Sequence, residues 1–301
     1  MINLTFFITI HQFYLNIYNN LNILKIQIIK ENHMKRIVMS LVACTLAGSG
    51  FAECTYSLNA SQNQVTQIDK DIKLFPINSG QKIGFILQST QDFVARMALS
   101  STFANTKIQA AQHSPEIVSP QGDVILATTG VVAFELKFKV PTNTLNGNER
   151  AGFFPIQTMG RIDDQSGAGV WFTYANNLDN SFNKQNYIGI HVAYMTNGSV
   201  NTADYPFDVQ STPDGFQRVG VYINQDQGKI GYIFNGSDQG YFPYPFPKLN
   251  NYSFLFAGGY ANIANNSANL GKEISVELVT DHSKLQFTYP SGTKDICGNA
   301  L

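Results

Sequence analysis

Charge is scarce in this chain. Its 301 residues carry 20 Lys+Arg against 21 Asp+Glu, a net charge of −1, and charged residues make up 14%, against about 25% in ordinary soluble domains. With no basic excess, a nucleic-acid binder that works by neutralising phosphates is excluded. There are three cysteines, and the two that follow residue 53, Cys54 and Cys297, are isolated from partner ligands, which excludes a thiolate metal site. No Gly-x-Ser-x-Gly motif is present, so a nucleophile-elbow hydrolase is excluded. No glycine-rich loop runs into Lys-Ser/Thr, so no phosphate loop or nucleotide cofactor is implied. A convincing amphipathic helix is also missing after residue 53. The best stretch, Ser61–Leu74, is polar and lacks a steady apolar stripe. What the chain does have is 44% apolar and 12% aromatic residues, too many for disorder, and a length that suits one large domain or two small ones.

The segment 34–52 reads as a secretory signal. Lys35 and Arg36 form its basic start and Ile37 to Ala47 its short apolar core. Gly50-Phe51-Ala52 supplies small residues before a cleavage point at Glu53. Leu41-Val42-Ala43-Cys44 offers the alternative of a lipoprotein box. Residues 1–33 are expected to be translated upstream DNA, with Met34 the true start. The rival is a membrane anchor in 3–29, against which Asn16, Asn19, Asn20 and Asn22 speak. The mature chain, 53–301, contains no span of the roughly 20 apolar residues that a membrane helix needs.

Cysteine usage agrees with export. The mature chain keeps Cys54 and Cys297, one at each end, and the simplest use of two cysteines in an exported protein is one disulfide. Such a clasp requires the two ends to lie side by side.

The mature chain reads as a succession of strands. Val132, Phe134, Leu136, Phe138 and Val140 alternate with Ala133, Glu135, Lys137 and Lys139, a strand with one wet face that Pro141 ends. Val219, Val221 and Ile223 run to the polar turn 224–228, and Ile230, Tyr232 and Phe234 run back, a hairpin followed by the turn Asn235-Gly236. Further strands are expected at Lys82–Gln88, Phe93–Leu99, Gly169–Ala175, Tyr187–Met195, Tyr252–Ala257, Glu273–Thr280 and Leu285–Tyr289. The fold class is all-β: a two-sheet antiparallel β-sandwich in a single domain, 53–301.

The hairpin Phe216–Ile223 and Gly228–Gly236, with its Val-x-Val-Tyr-Ile run and Asn-Gly turn, resembles the back sheet of concanavalin A-like jelly rolls. Ile274–Thr280 resembles the returning C-terminal strand of that family. Met34–Val38 and Cys54–Leu58 resemble a gamma-proteobacterial family of secreted proteins known only as a domain of unknown function. The jelly-roll resemblance implies a sandwich with adjacent terminal strands, and a concave sheet used in its members for glycan binding, hydrolysis or lysis.

The residues decide between those chemistries only in part. A retaining glycosidase needs two carboxylates on one strand face. The available pairs are Glu273 with Glu277, read as a solvated strand face, and the adjacent Asp163-Asp164, which a strand would point to opposite sides. His191 lies within a strong strand and shares a face with Tyr187, Gly189 and Ala193; a His191/Tyr194 site is the enzymatic alternative. Asp179–Asn183 resembles the calcium loop of legume-type lectins one residue out of register, and reads as a polar turn. The loop Tyr241–Pro247 alternates aromatics with prolines and cannot be a central strand. Sugar rings stack on flat aromatics while amides read hydroxyls. Trp171, Tyr174, His191, Tyr194, Tyr241 and Tyr244 are therefore the candidate ligand-binding residues, with Tyr205, Asn176, Asn177 and Asn183 nearby in kind. No catalytic residue, metal or cofactor is assigned. The expected partner is a glycan or another cell-surface ligand, the alternatives being a polysaccharide-active enzyme or an adhesive surface protein.

Overall fold

The computed structural model describes residues 55–112, 123–161, 167–178, 182–196 and 199–301. The leader segment 1–52 and Cys54, and with it the Cys54–Cys297 clasp, lie outside the described residues. So do Asp163, Asp164 and Asp179–Ser181.

The chain opens with helix α1 (Gln62–Ile68), then β1 (Lys73–Leu74), β2 (Ile77–Ser79), β3 (Lys82–Ile86), β4 (Val94–Leu99) and helix α2 (Ser101–Gln112). Next come β5 (Val124–Ile125), β6 (Val131–Lys139), β7 (Arg150–Arg161), β8 (Gly167–Asn176), β9 (Asn186–Thr196) and β10 (Ser199–Asp208). The last are β11 (Phe216–Asn224), β12 (Lys229–Phe234), β13 (Ser237–Tyr241), β14 (Asn251–Ala261), β15 (Glu273–Val279) and β16 (Thr293–Lys294).

These strands form two sheets. The first runs β1-β4-β14-β7-β8-β9-β10, with β5 paired to β14; the second runs β13-β12-β11-β6-β15-β3-β2, with β16 paired to β6. All pairings are antiparallel except the two-residue strands β1 on β4 and β16 on β6. The chain crosses repeatedly from one sheet to the other, as the neighbours β14-β7 and β6-β15 require, which is the double-sheet jelly-roll arrangement. The expected all-β sandwich is the observed architecture.

Alternation builds the core. Val170, Phe172 and Tyr174 of β8 and Ile188, Ile190 and Val192 of β9 face Phe134, Leu136, Val219, Val221 and Tyr232 of the second sheet in one apolar cluster. Aromatic rings bridge the layers: Phe85 lies 5.7 Å from Phe153, and Phe207 stacks on Phe234 at 4.4 Å. The Asn235-Gly236 turn has both residues at positive φ, 47° and 86°, as a two-residue hairpin requires.

Four sequence expectations are corrected. Two helices exist. Ser61 caps α1 through a reciprocal capping box with Gln64, so local hydrogen bonding forms a helix where the apolar stripe is weak. Helix α2 buries Phe103, Ala104 and Ile108, and the first two pack with Leu99, Leu255 and Ala257 on the outer face of the first sheet. Second, β7 and β10 go unannounced in the sequence reading. Pro155 sits where the β7–β8 register shifts between Phe153 and Ile156, and a bulge is where a sheet tolerates proline. Third, the expected wet face of β6 is partly dry: Ala133 and Glu135 are buried. Fourth, what covers them is the chain 285–290, expected as a strand. It instead crosses the outer face of the second sheet before Thr293–Lys294 joins β6.

Candidate functional site

The open part of the first sheet's outer face is built by β8, β9 and β10. Every second residue of β8 and β9 enters the core, so Gly169, Trp171 and Thr173, and Gly189, His191 and Ala193, point away from it. The register aligns Trp171 with His191, and His191 with Asp204. Laterally paired residues share a sheet face, so the three side chains form one row across three adjacent strands. The rows to either side have small floors: Gly169 with Ala193, and Thr173 with Gly189.

His191 is held from two directions. Its Nδ1 lies 2.7 Å from Asp204 Oδ1, and the ring of Phe182 lies 5.6 Å away at a tilt of 32°. The imidazole lies back along its own strand over Gly189, where an added Cβ would stand 2.8 Å from Nε2. Phe182 also meets Tyr187 edge-on at 5.4 Å. The His191 side chain is 25% exposed and that of Asp204 48%; Trp171 is half-buried. Asp204 is thus both the orienter of His191 and a carboxylate in water.

The six sequence candidates do not converge. Trp171 and His191 are neighbours in the row. Tyr174 is fully buried on the core side of β8, where its hydroxyl accepts from Asn176 Nδ2 at 3.1 Å. Tyr194 pairs with Ala168 and Asn201 in the backbone register; its side chain is outside the described ones. Tyr241 ends β13 on the other sheet, its ring 5.3 Å from Tyr222 and its hydroxyl accepting from Asn224 Nδ2 at 3.1 Å. Tyr244 is half-buried in the proline-rich loop, in which Phe242 and Phe246 are buried. Tyr205 faces the core, 5.5 Å from Tyr232.

Sequence reasoning missed Asp204 and Phe182. The signal for Asp204 was present: Ala203, Tyr205 and Phe207 alternate with Thr202, Asp204 and Pro206, a period-2 pattern. Pro206 masked it, yet β10 is the edge strand, where proline costs no ladder bond.

The acidic pair Glu273/Glu277 lies on β15, and its carboxylates are bound to lysines. Glu273 lies 2.8 Å from Lys82 and 3.0 Å from Lys139, and Glu277 3.7 Å from Lys137. The Lys82 ammonium, the Ser275 hydroxyl and Lys139 hold the Glu273 carboxyl down at about 2. Among the described residues no group of three or more His, Cys, Asp or Glu could hold a metal ion. No helix among them is long and apolar enough to cross a membrane.

Several solved structures resemble the chain. Porphyranase B from Zobellia galactanivorans matches with a TM-score of 0.32 and 9% identity, over 50% of this chain and 64% of that one. A family 16 endo-glucanase from Bacteroides ovatus matches with a TM-score of 0.32 and 14% identity, over 48% of this chain and 66% of that one. Alginate lyase A1-II′, of polysaccharide lyase family 7, matches with a TM-score of 0.31 and 13% identity, over 65% of this chain and 75% of that one. The chain thus spans less than two thirds of the length of the first two. No curated protein matches by sequence. The profile of one family, described as "Domain of unknown function (DUF4882)", matches residues 37–299, and the chain belongs to that family.

Proposed function

We propose that the protein is an exported, non-catalytic binder of a glycan, and that the row Trp171–His191–Asp204 on the outer face of the first sheet is its contact surface. The observation that carries this reading is the row itself: a half-buried indole, an oriented imidazole and a solvated carboxylate in lateral register, with glycine, alanine and threonine beside them. A flat aromatic offers a platform for the C–H face of a sugar ring, and a few converging polar groups fix its hydroxyls. Affinity electrophoresis against a polysaccharide panel tests it. Retardation by at least one polymer, reduced more than tenfold in Trp171→Ala, is the expected result. Retardation that Trp171→Ala leaves unchanged, or none by any polymer, overturns it.

A second reading, a polysaccharide lyase or hydrolase, draws on the same His191–Asp204 bond, because a carboxylate on Nδ1 orients an imidazole for proton transfer at Nε2. Release of reducing or unsaturated ends that His191→Ala abolishes would favour it over binding alone.

Export and the Cys54–Cys297 clasp belong to the proposal. The arrangement of the chain ends supports it. Tyr56 N donates to Thr280 Oγ1 at 3.2 Å, and nearby His282 Nδ1 lies 3.2 Å from Asp295, whose other oxygen accepts from Cys297 N at 2.9 Å. Non-reducing peptide mapping of protein purified from the periplasm or medium should find the two cysteine peptides linked; free thiols at both would overturn the clasp.

A further inference from the structure

The β8–β10 part of the first sheet differs in charge from the second sheet. On the second sheet, Lys82, Lys137, Lys139 and Arg218 stand among Glu273, Glu277 and Asp214, and each cation has an acidic partner within 3.7 Å or closer. On the first sheet, strands β8, β9 and β10 contain no lysine or arginine at all; their only formal charges are Asp204 and Asp208. Asp208 is bonded through both oxygens, at 2.7 Å, to Lys184 in the turn before β9. Asp204 is different. One oxygen takes His191 Nδ1, no hydrogen bond to the other is present among the described residues, and the side chain is 48% exposed.

Resting on the glycan reading above, we infer that the ligand of this face is a non-acidic sugar whose hydroxyl or ammonium donates to Asp204, and that polyuronates and sulfated glycans are rejected. A carboxylate or sulfate laid along the row would meet Asp204 with no arginine or lysine of these strands to answer it, and like charge at close range is repulsive. A hydroxyl or ammonium meets an open acceptor, and an ammonium also lies within reach of aromatic faces at Trp171 and Phe182. Two strand spacings separate Trp171 from Asp204, about 10 Å, so a ring stacked on the indole leaves its neighbour over His191 and Asp204. Anion-binding faces carry converging arginines or lysines; β8, β9 and β10 carry none, and the arginine next to them in register, Arg161 of β7, pairs with Gly167, four residues along β8 from Trp171.

The test uses the full chain and four probes: laminarin and chitosan oligomers on one side, alginate and polygalacturonate on the other. Laminarin or chitosan should bind, the first identifying a hydroxyl and the second an ammonium as the donor. The two polyuronates should bind at least tenfold more weakly. Asp204→Asn should weaken the favoured probe about tenfold, while Asp208→Asn on the same strand changes it less than twofold. Thermal melts report whether Asp204→Asn folds, and the wild-type selectivity decides the matter even where it does not. Trp171-dependent binding of alginate or polygalacturonate as tight as that of laminarin or chitosan overturns this inference and leaves the glycan reading standing. So does binding that a folded Asp204→Asn does not alter. Failure of all four probes removes this inference alone; retardation by no polymer of the wider panel, or binding indifferent to Trp171→Ala, removes the glycan reading and this inference with it.

Discussion

Glu135 and Tyr289 stand 154 residues apart in the chain, and the Tyr289 hydroxyl donates to Glu135 Oε1 at 3.0 Å. The same oxygen accepts from Gln286 N at 2.8 Å and Phe287 N at 2.9 Å. One buried carboxylate on β6 thereby ties down the C-terminal chain that crosses the second sheet. Its second oxygen is buried, with no hydrogen-bond partner among the described residues. Glu135→Ala leaves two backbone donors and a phenol facing an apolar pocket, and should cost about 2–4 kcal/mol in a urea titration. Burial pushes the Glu135 carboxyl up, against the pull of Phe287 N, Gln286 N, Tyr289 and Arg218. A carboxyl raised in the folded state binds its proton more tightly there than in the unfolded chain. Its contribution is therefore most favourable in acid and declines as pH rises through the raised value. Glu135→Gln should remove that decline from a plot of stability against pH.

Glu273 has the opposite sign. Held at about 2 by Lys82, Ser275 and Lys139, it contributes stability above the ordinary carboxylate range and loses it as pH falls from about 4.5 to about 2. The group is partly solvated, so the amount is about 1 kcal/mol or less. Thermal melts across that acid range should show a shallower fall for Glu273→Gln than for wild type.

Gly189→Ala separates stability from site geometry. The new methyl would stand 2.8 Å from His191 Nε2, the far end of a flexible side chain that can move off Asp204 without moving backbone. Stability should change little, on the order of 1 kcal/mol. The imidazole should leave Asp204, seen as altered His191 ring shifts by NMR, and ligand retardation should weaken. Gly259→Ala is the contrast: its Cβ would stand 2.2 Å from the Val94 carbonyl oxygen. Backbone cannot swing aside, so that variant should be poorly folded.

Tyr174→Phe tests which aromatic of β8 meets the ligand. Tyr174 is buried and bonded to Asn176, so losing its hydroxyl should cost about 1 kcal/mol of stability and leave retardation unaltered. Trp171→Ala, three residues earlier, should do the reverse: small loss in the melt, large loss in the gel.

The sandwich was legible in the sequence because alternation survives wherever a strand has one dry face. β6, β8, β9, β11, β12 and β15 were all visible in this way. The helices were not, since α1 rests on its cap, Ser61 with Gln64, more than on an apolar stripe. β7 was hidden by Pro155 and β10 by Pro206, each at a place where the sheet does not need the missing donor: a bulge and an edge. The candidate site was legible for Trp171 and His191 and illegible for Asp204. Residue type alone put Tyr174 in the set, and only the parity of β8, with Phe172 and Val170 on its side, sends it inward. Tyr241 and Tyr244 share chemistry with Trp171 but not a sheet, which no local pattern reveals.

The return of Thr293–Lys294 to β6 sends the final residue out beside the sheet that lacks the indole. Leu301 N donates to the Thr293 carbonyl at 3.0 Å, so a fusion partner or biotin appended there would be carried by the second sheet, whereas Trp171 belongs to the first. Protein captured on a sensor by that end would be held through the second sheet and not through the strands that carry the Trp171 row.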